Sequence, residues 1–252
     1  MDLREFHPGL WLTELVLDDF DVRGAVLVGA ERVLVWDTLS HPRDMAEVAQ
    51  LAGDKPIYVA YSHADWDHCW GTAGLNPTLI IARKACAARF ASGEVAREFA
   101  DKQAADPGLW DEVRLIPPNL TFTCALALDL GGLVVTLIPL SGHTADCLVA
   151  FIPSLGVLLA GDTIETPLPY LSANSPLMLR YWIRELERWQ ADTRIQTVIP
   201  AHGEIGDASL IAHNVRYLTA LQSGETPDVP AEMTTFYVET HARNLALMRS
   251  RQ

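Results

Sequence analysis

The stretch SHADWDH at residues 62–68 directly follows an apolar run, IYVAY at residues 57–61. The apolar run predicts a buried strand, so the histidines and aspartates after it should lie on a loop at the carboxyl end of that strand. Three later apolar runs end in the same way, in SGHT, AGDT and PAHG. Each brings a further metal-capable side chain to a strand end. The candidate ligands are His63, Asp65, Asp67, His68, His143, Asp162 and His202.

Neutral imidazoles and carboxylates are good ligands for Zn²⁺, Fe²⁺ and Mn²⁺. The set is too large for one four-coordinate ion, unless some members only support the ligands from behind, and it suits two ions that share a bridging carboxylate. Two such ions lower the pKa of a bound water and polarise a carbonyl or phosphoryl oxygen, which predicts hydrolysis. The alternative is that these are ordinary loop residues, with Asp67 capping a helix that begins near His68 and Asp162 closing a turn. The joint order of the four motifs favours the metal interpretation.

This ordered set resembles the metallo-β-lactamase superfamily over about residues 10–205, and Trp36-Asp37-Thr38 after an early strand matches its layout as well. The resemblance implies an α/β fold, a four-layer αββα sandwich with the metals at one edge of the sheets. It implies that His63, Asp65 and His143 hold a first metal, that Asp67, His68 and His202 hold a second, and that Asp162 bridges them. It also implies that Asp67 orients or deprotonates the attacking water, and that Asp37 supports the ligands from behind.

One position departs from the family pattern His-x-His-x-Asp-His, because Asp65 stands where the second histidine is expected. A carboxylate there adds negative charge and hardens the first site, which moves its preference from zinc towards iron or manganese. We expect two divalent ions, zinc first, with iron or manganese as alternatives. Asp65 facing solvent is the other interpretation. Flavodiiron proteins carry a glutamate at this place, but they need a flavodoxin-type domain, so we rank redox chemistry below hydrolysis.

The composition limits the class of protein. The chain has 252 residues, 49% of them hydrophobic, and a formal net charge of −13. The apolar content argues against disorder, and the negative charge disfavours a nucleic-acid partner. We expect a single domain over residues 1–252, with residues 223–252 as an alternative short C-terminal tail. The first residues contain no apolar export segment, so a cytoplasmic location without a membrane span is expected.

Hydrophobic periodicity and turn residues predict alternating blocks of strands and helices. Strands are predicted at residues 10–17, 24–28, 32–36, 57–61, 78–82 and 195–199, and as a second block within 121–161. Helices are predicted at residues 42–51, 84–105, 175–190 and 207–222, the second of them despite Gly93.

The expected function is a metal-dependent hydrolase that uses a metal-bound water on a small ester, thioester or lactone. Alternatives are a small-molecule phosphodiesterase and a metal-binding sensor in which Asp65 has weakened catalysis. Trp66 is a candidate wall of the substrate pocket. Trp70 suits the core at least as well, and Glu165 is expected at the surface.

Overall fold

The computed structural model describes residues 1–17, 19–172 and 175–249. Seven strands form the first sheet, in sequence order from one edge to the other. They are β1 Asp2–His7, β2 Leu10–Leu17, β3 Phe20–Val28, β4 Val33–Trp36, β5 Ile57–Ala60, β6 Leu79–Arg83 and β7 Leu120–Phe122. The pairs from β1 to β4 are antiparallel, and those from β4 to β7 are parallel. The carboxyl ends of the parallel strands β4 to β7 therefore lie at the same edge of the sheet as the loop that follows β5.

The second sheet has five strands in the order β12-β11-β10-β9-β8. Its strands are β8 Leu126–Asp129, β9 Val134–Pro139, β10 Leu148–Ile152, β11 Val157–Gly161 and β12 Thr197–Pro200. The pair β11 and β12 is parallel, so the residues that follow these two strands emerge side by side.

Helices cover the outer face of each sheet. They are α1 Ala46–Ala52, α2 Trp66–Cys69, α3 Lys84–Ala91, α4 Glu94–Ala105, α5 Pro176–Gln190, α6 Ser209–Ser223 and α7 Thr235–Arg249. Two short 3-10 helices, Pro42–Met45 and Trp70–Gly74, flank α1 and α2.

Three apolar clusters hold the layers together. Between the sheets, buried side chains such as Leu12 and Leu34 of the first sheet join Leu137 and Leu159 of the second in one cluster. A second cluster packs the first sheet against its helices, and a third packs the second sheet against α5, α6 and α7. Each fully buried leucine or valine contributes about 1.5–3 kcal/mol to stability relative to an exposed one. The predicted four-layer αββα sandwich is confirmed.

The observed elements differ from the predicted ones in a few places. The helix predicted over residues 84–105 is two helices, because Gly93 adopts φ 77° and interrupts the backbone hydrogen bonding between α3 and α4. Strand β1 was not predicted at all. Within residues 223–252, α7 packs its apolar side chains, among them Phe236 and Leu245, against the cluster below the second sheet. None of the described helices is long and apolar enough to cross a bilayer.

Candidate metal centre

The seven candidate ligands of the sequence analysis meet at one edge of the sandwich. The loop after β5 supplies His63 and Asp65, and the short helix α2 supplies Asp67 and His68. The remaining three follow strands of the second sheet: His143 follows β9, Asp162 follows β11 and His202 follows β12. Two sheets that end at a common edge thus bring residues from four separate segments together.

The ligand atoms form two groups. In the first, Asp65 Oδ2 lies 3.4 Å from His63 Nε2 and 3.1 Å from His143 Nε2. In the second, the carboxylate of Asp67 lies 3.6 Å from His68 Nε2 and 3.7 Å from His202 Nε2. All the atoms of each group lie within 4.8 Å of one another. These are spacings that one ion per group can span.

Asp162 lies between the two groups, with one oxygen towards each. Its Oδ2 is 3.5 Å from His63 Nε2 and 3.6 Å from His143 Nε2. Its Oδ1 is 3.2 Å from His68 Nε2 and 3.3 Å from His202 Nε2. This is the orientation that a carboxylate bridging two ions requires.

Each of the four histidines is held from behind. The Nδ1 atom of every ring lies 2.5 to 2.9 Å from an oxygen. The partner oxygen is Ser62 Oγ for His63 and Asp37 Oδ2 for His68. It is the backbone oxygen of Tyr170 for His143 and that of Asp21 for His202. A carbonyl oxygen only accepts, so the rings of His143 and His202 must donate from Nδ1. The Nε2 lone pair of a neutral ring is then directed into the centre, which is how ligating histidines are usually oriented.

Asp37 connects two parts of the site. Its Oδ2 accepts from His68 Nδ1 at 2.9 Å, and its Oδ1 accepts from the backbone N–H of Ser62 at 2.7 Å. The residue is fully buried and its backbone lies in the left-handed region at φ 57°, which non-glycine residues seldom adopt. Asp37 therefore lies behind the ligands, where the resemblance places it.

Several buried polar atoms of the site have no hydrogen-bond partner among the described residues. They are His63 Nε2, His68 Nε2 and Asp162 Oδ1. Buried polar atoms are normally satisfied, and an unsatisfied one costs about 1–3 kcal/mol. A cation placed between imidazole nitrogens and carboxylate oxygens would satisfy all of them, so the residues present fit a pair of divalent ions.

Without a cation the histidines and carboxylates shift one another's protonation. Burial alone would lower the pKa of His202, but the Asp162, Asp67 and Glu165 carboxylates together outweigh it and raise that pKa to about 10. The Asp162 carboxylate likewise raises the pKa of His68 well above its usual value, although burial opposes the shift. Burial would raise the pKa of Asp162, whereas His68, His202 and His63 together hold it well below its ordinary value. The centre thus favours a charged Asp162 and protonated His68 and His202 until a metal displaces the protons.

Asp65 faces the first group and is anchored by a residue that the sequence did not reveal. Its side chain is 24% exposed, yet Oδ2 is directed towards His63 and His143, while Oδ1 lies 2.8 Å from Nη2 of Arg89 on α3. The interpretation in which Asp65 only faces solvent does not fit this placement. Arg89 also pairs with the buried Asp146 at 3.0 Å and with Glu94 at 2.8 Å. Nothing in the spacing of α3 distinguishes Arg89 from a surface arginine.

Two glycines allow the ligand loops to approach one another. Gly161, at φ 53°, brings the turn that carries Asp162 so close to Ser62 that a β-carbon would lie 3.0 Å from the Ser62 side chain. Gly203, at φ 84°, lies beside the backbone of Thr166, where a β-carbon would lie 2.1 Å from its carbonyl oxygen. The residues that follow β11 and β12 are therefore packed backbone to backbone around the centre.

A cavity of about 210 Å³ opens beside the ligands. Besides ligand residues, its walls consist of four aromatic rings and two glutamates: Phe20, Trp66, Tyr170, Phe236, Glu98 and Glu165. Trp66 lies in the wall of this cavity, whereas Trp70 is 1% exposed and belongs to the core.

The two glutamates of the cavity wall are shielded from solvent to a degree that is unusual for glutamate. The surface placement expected for Glu165 is wrong, because the residue is 1% exposed and lies beside His143 and Asp162. Burial raises the pKa of Glu165 to about 8, and the Asp162 carboxylate adds to the shift. Burial likewise raises the pKa of Glu98 to about 7, with the Asp65 and Asp67 carboxylates adding to it. Glu98 and the C-terminal Phe236 come from helices far away in sequence, so no local motif could have identified them.

Comparisons with known proteins agree with this architecture. The family model described as the metallo-beta-lactamase superfamily matches residues 19–211. A search of curated protein sequences returned no match.

Solved structures share the fold at low sequence identity. A metallo-beta-lactamase from Pontibacter korlensis is 18% identical with a TM-score of 0.65, over 86% of this chain and 98% of that one. The mono-zinc form of the metallo-beta-lactamase FIM-1 from Pseudomonas aeruginosa is 18% identical with a TM-score of 0.66, over 88% and 96%. A metallo-beta-lactamase family protein from Thermus thermophilus is 19% identical with a TM-score of 0.68, over 87% and 81%. At these identities the similarity concerns the fold.

Proposed function

This chain belongs to the metallo-beta-lactamase superfamily, and on that premise we propose that it is a metal-dependent hydrolase of a small ester, thioester or lactone. One observation carries the proposal. A single carboxylate, Asp162, presents one oxygen to each of two groups of imidazole and carboxylate ligands. We also propose that residues 1–252 act as one domain.

In this proposal two divalent ions are held by the two ligand groups. His63, Asp65 and His143 would hold the first, Asp67, His68 and His202 would hold the second, and Asp162, which lies between the two groups, would serve both. When bound, such ions lower the pKa of a coordinated water and polarise the carbonyl of a substrate. We propose zinc first, with manganese or iron as alternatives because Asp65 replaces a neutral imidazole by a harder, charged ligand.

Asp67 is the proposed proton acceptor. Its carboxylate lines the cavity, and its nearest side-chain partners, His68 and His202, are 3.6 and 3.7 Å away. It therefore retains acceptor capacity towards the cavity, where an attacking water would lie. From this position Asp67 orients the water and accepts its proton as the bond to the carbonyl carbon forms. The bond from that carbon to the leaving oxygen or sulfur then breaks, and Asp67 returns the proton to the departing alcohol or thiol.

The aromatic walls and the buried glutamates shape the rest of the reaction. Trp66, Tyr170 and Phe236 give the cavity an aromatic wall, which suits a substrate with an apolar part. Glu165 is buried beside Asp162 and accepts, at 3.5 Å, from the backbone N–H of Tyr170. This contact fixes the loop whose carbonyl holds His143. Glu165 is in this view a positioning residue.

The test combines elemental analysis with a substrate panel. Purified protein loaded with Zn²⁺, Mn²⁺ or Fe²⁺ is assayed on esters, thioesters, lactones and phosphodiesters, beside Asp162→Ala, His68→Ala and the control His7→Ala on the edge strand β1. We expect about two ions per chain, turnover of at least one acyl substrate, and loss of turnover in the first two variants only. Full metal loading with no acyl turnover would overturn the proposal. Turnover of phosphodiesters alone would point to the phosphodiesterase instead.

A further inference from the structure

The loop at residues 165–172 contacts His143 at three points. The backbone oxygen of Tyr170 accepts from His143 Nδ1 at 2.9 Å, and the centres of the two rings lie 5.4 Å apart. The hydroxyl of Ser172 donates to the backbone oxygen of His143. His143 is a candidate ligand of the first group, so the position of this loop determines the direction in which its Nε2 atom points.

None of residues 165–172 belongs to a helix or strand, so the buried backbone groups of this loop need partners from elsewhere. One side chain of α7 pairs with two of them. Asn244 Nδ2 donates to the backbone oxygen of Pro169 at 2.8 Å, and its Oδ1 accepts from the backbone N–H of Leu171 at 3.1 Å. Both of these loop residues are buried. They flank the residue whose carbonyl holds His143, so Asn244 fixes that part of the loop.

The hydrogen bonds at this position require an amide. Asn244 is fully buried, and its Nδ2 also donates to the hydroxyl of Tyr217 at 3.1 Å. Its donors and its acceptor are thus paired, as is expected of a buried polar group. A carboxylate of the same shape would place an acceptor opposite the carbonyl of Pro169, and an apolar side chain would leave both loop groups without this partner. The side chain therefore pairs with the loop as a backbone peptide group would.

A second asparagine holds the other end of the loop in the same way. Asn214 of α6 accepts from the backbone N–H of Glu165 at 3.1 Å and donates to the backbone oxygen of that residue at 2.8 Å. It too is fully buried. Asn214 and Asn244 both lie beyond residue 211, where the match to the family model ends. The two C-terminal helices thus anchor a loop of the metal centre through residues that the family match does not include.

We propose that Asn244 is a positioning residue of the first ligand group and that α7 is therefore part of the metal centre. By fixing the residues on either side of Tyr170, it keeps in place the carbonyl that accepts from His143 Nδ1. The Nε2 atom of that ring then remains directed towards Asp65 and Asp162, at 3.1 and 3.6 Å. The inference rests on the proposed function for the presence of two ions, but it does not require turnover. The two can therefore be tested separately.

The test uses two substitutions of Asn244 and two controls. Asn244→Asp keeps the shape and replaces the donor to Pro169 by an acceptor. Asn244→Ser is too short to make both hydrogen bonds to the loop and adds no charge, so it keeps the test available if a buried carboxylate prevents folding. Tyr217→Phe removes the partner of Asn244 that lies outside the loop. Leu218→Ala removes a fully buried side chain from the apolar cluster below the second sheet and breaks no hydrogen bond to the loop.

Two measurements are made on each variant beside its thermal midpoint. Competition with a coloured chelator gives the two stepwise affinities for Zn²⁺. Nuclear magnetic resonance of the zinc-loaded protein gives the rate at which the Nδ1 hydrogen of His143 exchanges with solvent. This rate reports the hydrogen bond to Tyr170 directly, and a loss of stability alone is recognised from Leu218→Ala.

Both Asn244 variants should lose roughly tenfold or more in affinity for one of the two ions, because a contact that orients a ligand is weakened. The Nδ1 hydrogen of His143 should exchange faster in them. Tyr217→Phe and Leu218→Ala should retain both affinities and the slow exchange, even where the thermal midpoint falls. Unchanged affinities in a folded Asn244 variant, the same loss in Leu218→Ala, or an unchanged protein that binds no Zn²⁺ would overturn the inference.

A panel of esters, thioesters and lactones separates this inference from the proposed hydrolase. Weaker zinc binding in the Asn244 variants, with no acyl substrate turned over by the unchanged protein, would leave the inference standing and count against the hydrolase. Acyl turnover by the unchanged protein, with unchanged zinc affinities in the Asn244 variants, would do the reverse.

Discussion

Arg89 and Asp65 form an ion pair at 2.8 Å through one carboxylate oxygen of Asp65, while the other oxygen faces His63 and His143. Asp65, which the resemblance described under Sequence analysis sets apart from the family pattern, is thus supported by a cation from a neighbouring helix. The guanidinium contacts Asp146 and Glu94 as well, so three carboxylates share one planar group. Asp146 in turn accepts from the backbone N–H of Ala64 at 2.9 Å, inside the ligand loop itself.

Arg89→Lys should weaken metal binding by the first group. Lysine keeps the charge but cannot contact three carboxylates with a planar fork, so Asp65 loses its fixed orientation. Loss of a contact behind a ligand lowers metal affinity by about 10–100-fold. Competition with a coloured chelator measures this for each of the two ions. Arg97→Lys, on the exposed side of α4, should bind both ions as the unchanged protein does; equal affinities in both variants would contradict the role of Arg89.

Asp65→His should change which metal the first group prefers. The substitution restores the histidine of the family pattern and removes one negative charge from the ligand set. A softer, neutral ligand favours Zn²⁺ over Mn²⁺, so the ratio of zinc to manganese affinity should rise. The matched control is Asp65→Glu, which retains a carboxylate and should keep the original ratio. An unchanged ratio in Asp65→His would show that this position does not set metal choice.

Asp37→Asn should impair the second group without breaking the backbone turn. Asparagine tolerates the left-handed conformation at φ 57°, and its carbonyl can still accept from Ser62 N–H. Its amide, however, would donate to His68 Nδ1 and leave the hydrogen on Nε2, which faces Asp162. A ring in that tautomer cannot bind a metal through Nε2, so affinity should fall by about 10–100-fold.

Calorimetric titration of the metal ion checks this prediction, with Asp54→Asn as an exposed control. Nitrogen chemical shifts of the histidine ring report the tautomer directly. If the metal affinity is fully lost while the His68 ring keeps its original tautomer, the loss of affinity has another cause.

The stability of the metal-free protein should fall as the pH rises. The pKa of His202 is 6.5 in its ordinary state and about 10 in the folded protein, because the carboxylates of Asp162, Asp67 and Glu165 together outweigh burial. A raised histidine pKa stabilises the fold fully below about 6.5, and this stabilisation is lost as the pH rises through about 10. Glu165 acts in the same direction, since its buried acid form with a pKa of about 8 must ionise at higher pH.

Denaturant titrations of chelator-treated protein across that pH interval measure the effect. Metal binding should show the opposite trend, since each ion displaces protons and its apparent affinity therefore rises with pH. A free energy of unfolding that is constant or increases over the interval would contradict the protonation pattern of the centre. His202→Gln should reduce the decrease of the free energy of unfolding with pH.

Particular residues show how much of the structure could be predicted from the sequence. Motifs at strand ends were sufficient to predict that His63, His143, Asp162 and His202 meet at one edge, because apolar runs determine strands and strands end where a sheet ends. The four-layer fold was predicted through the family resemblance that these motifs carry. The break at Gly93 and the existence of β1 were missed, since a lone glycine and a half-exposed edge strand leave weak patterns.

The amino-acid order by itself determined which side chains could bind a metal and which loops carry them, because ligand type and strand-end position are local properties. Only the tertiary structure decided which oxygen of Asp162 faces which histidines, that Arg89 holds Asp65, and that Glu98 and Phe236 reach the cavity. These relations depend on the packing of elements that are distant along the chain, and a single sequence carries no local signal for them.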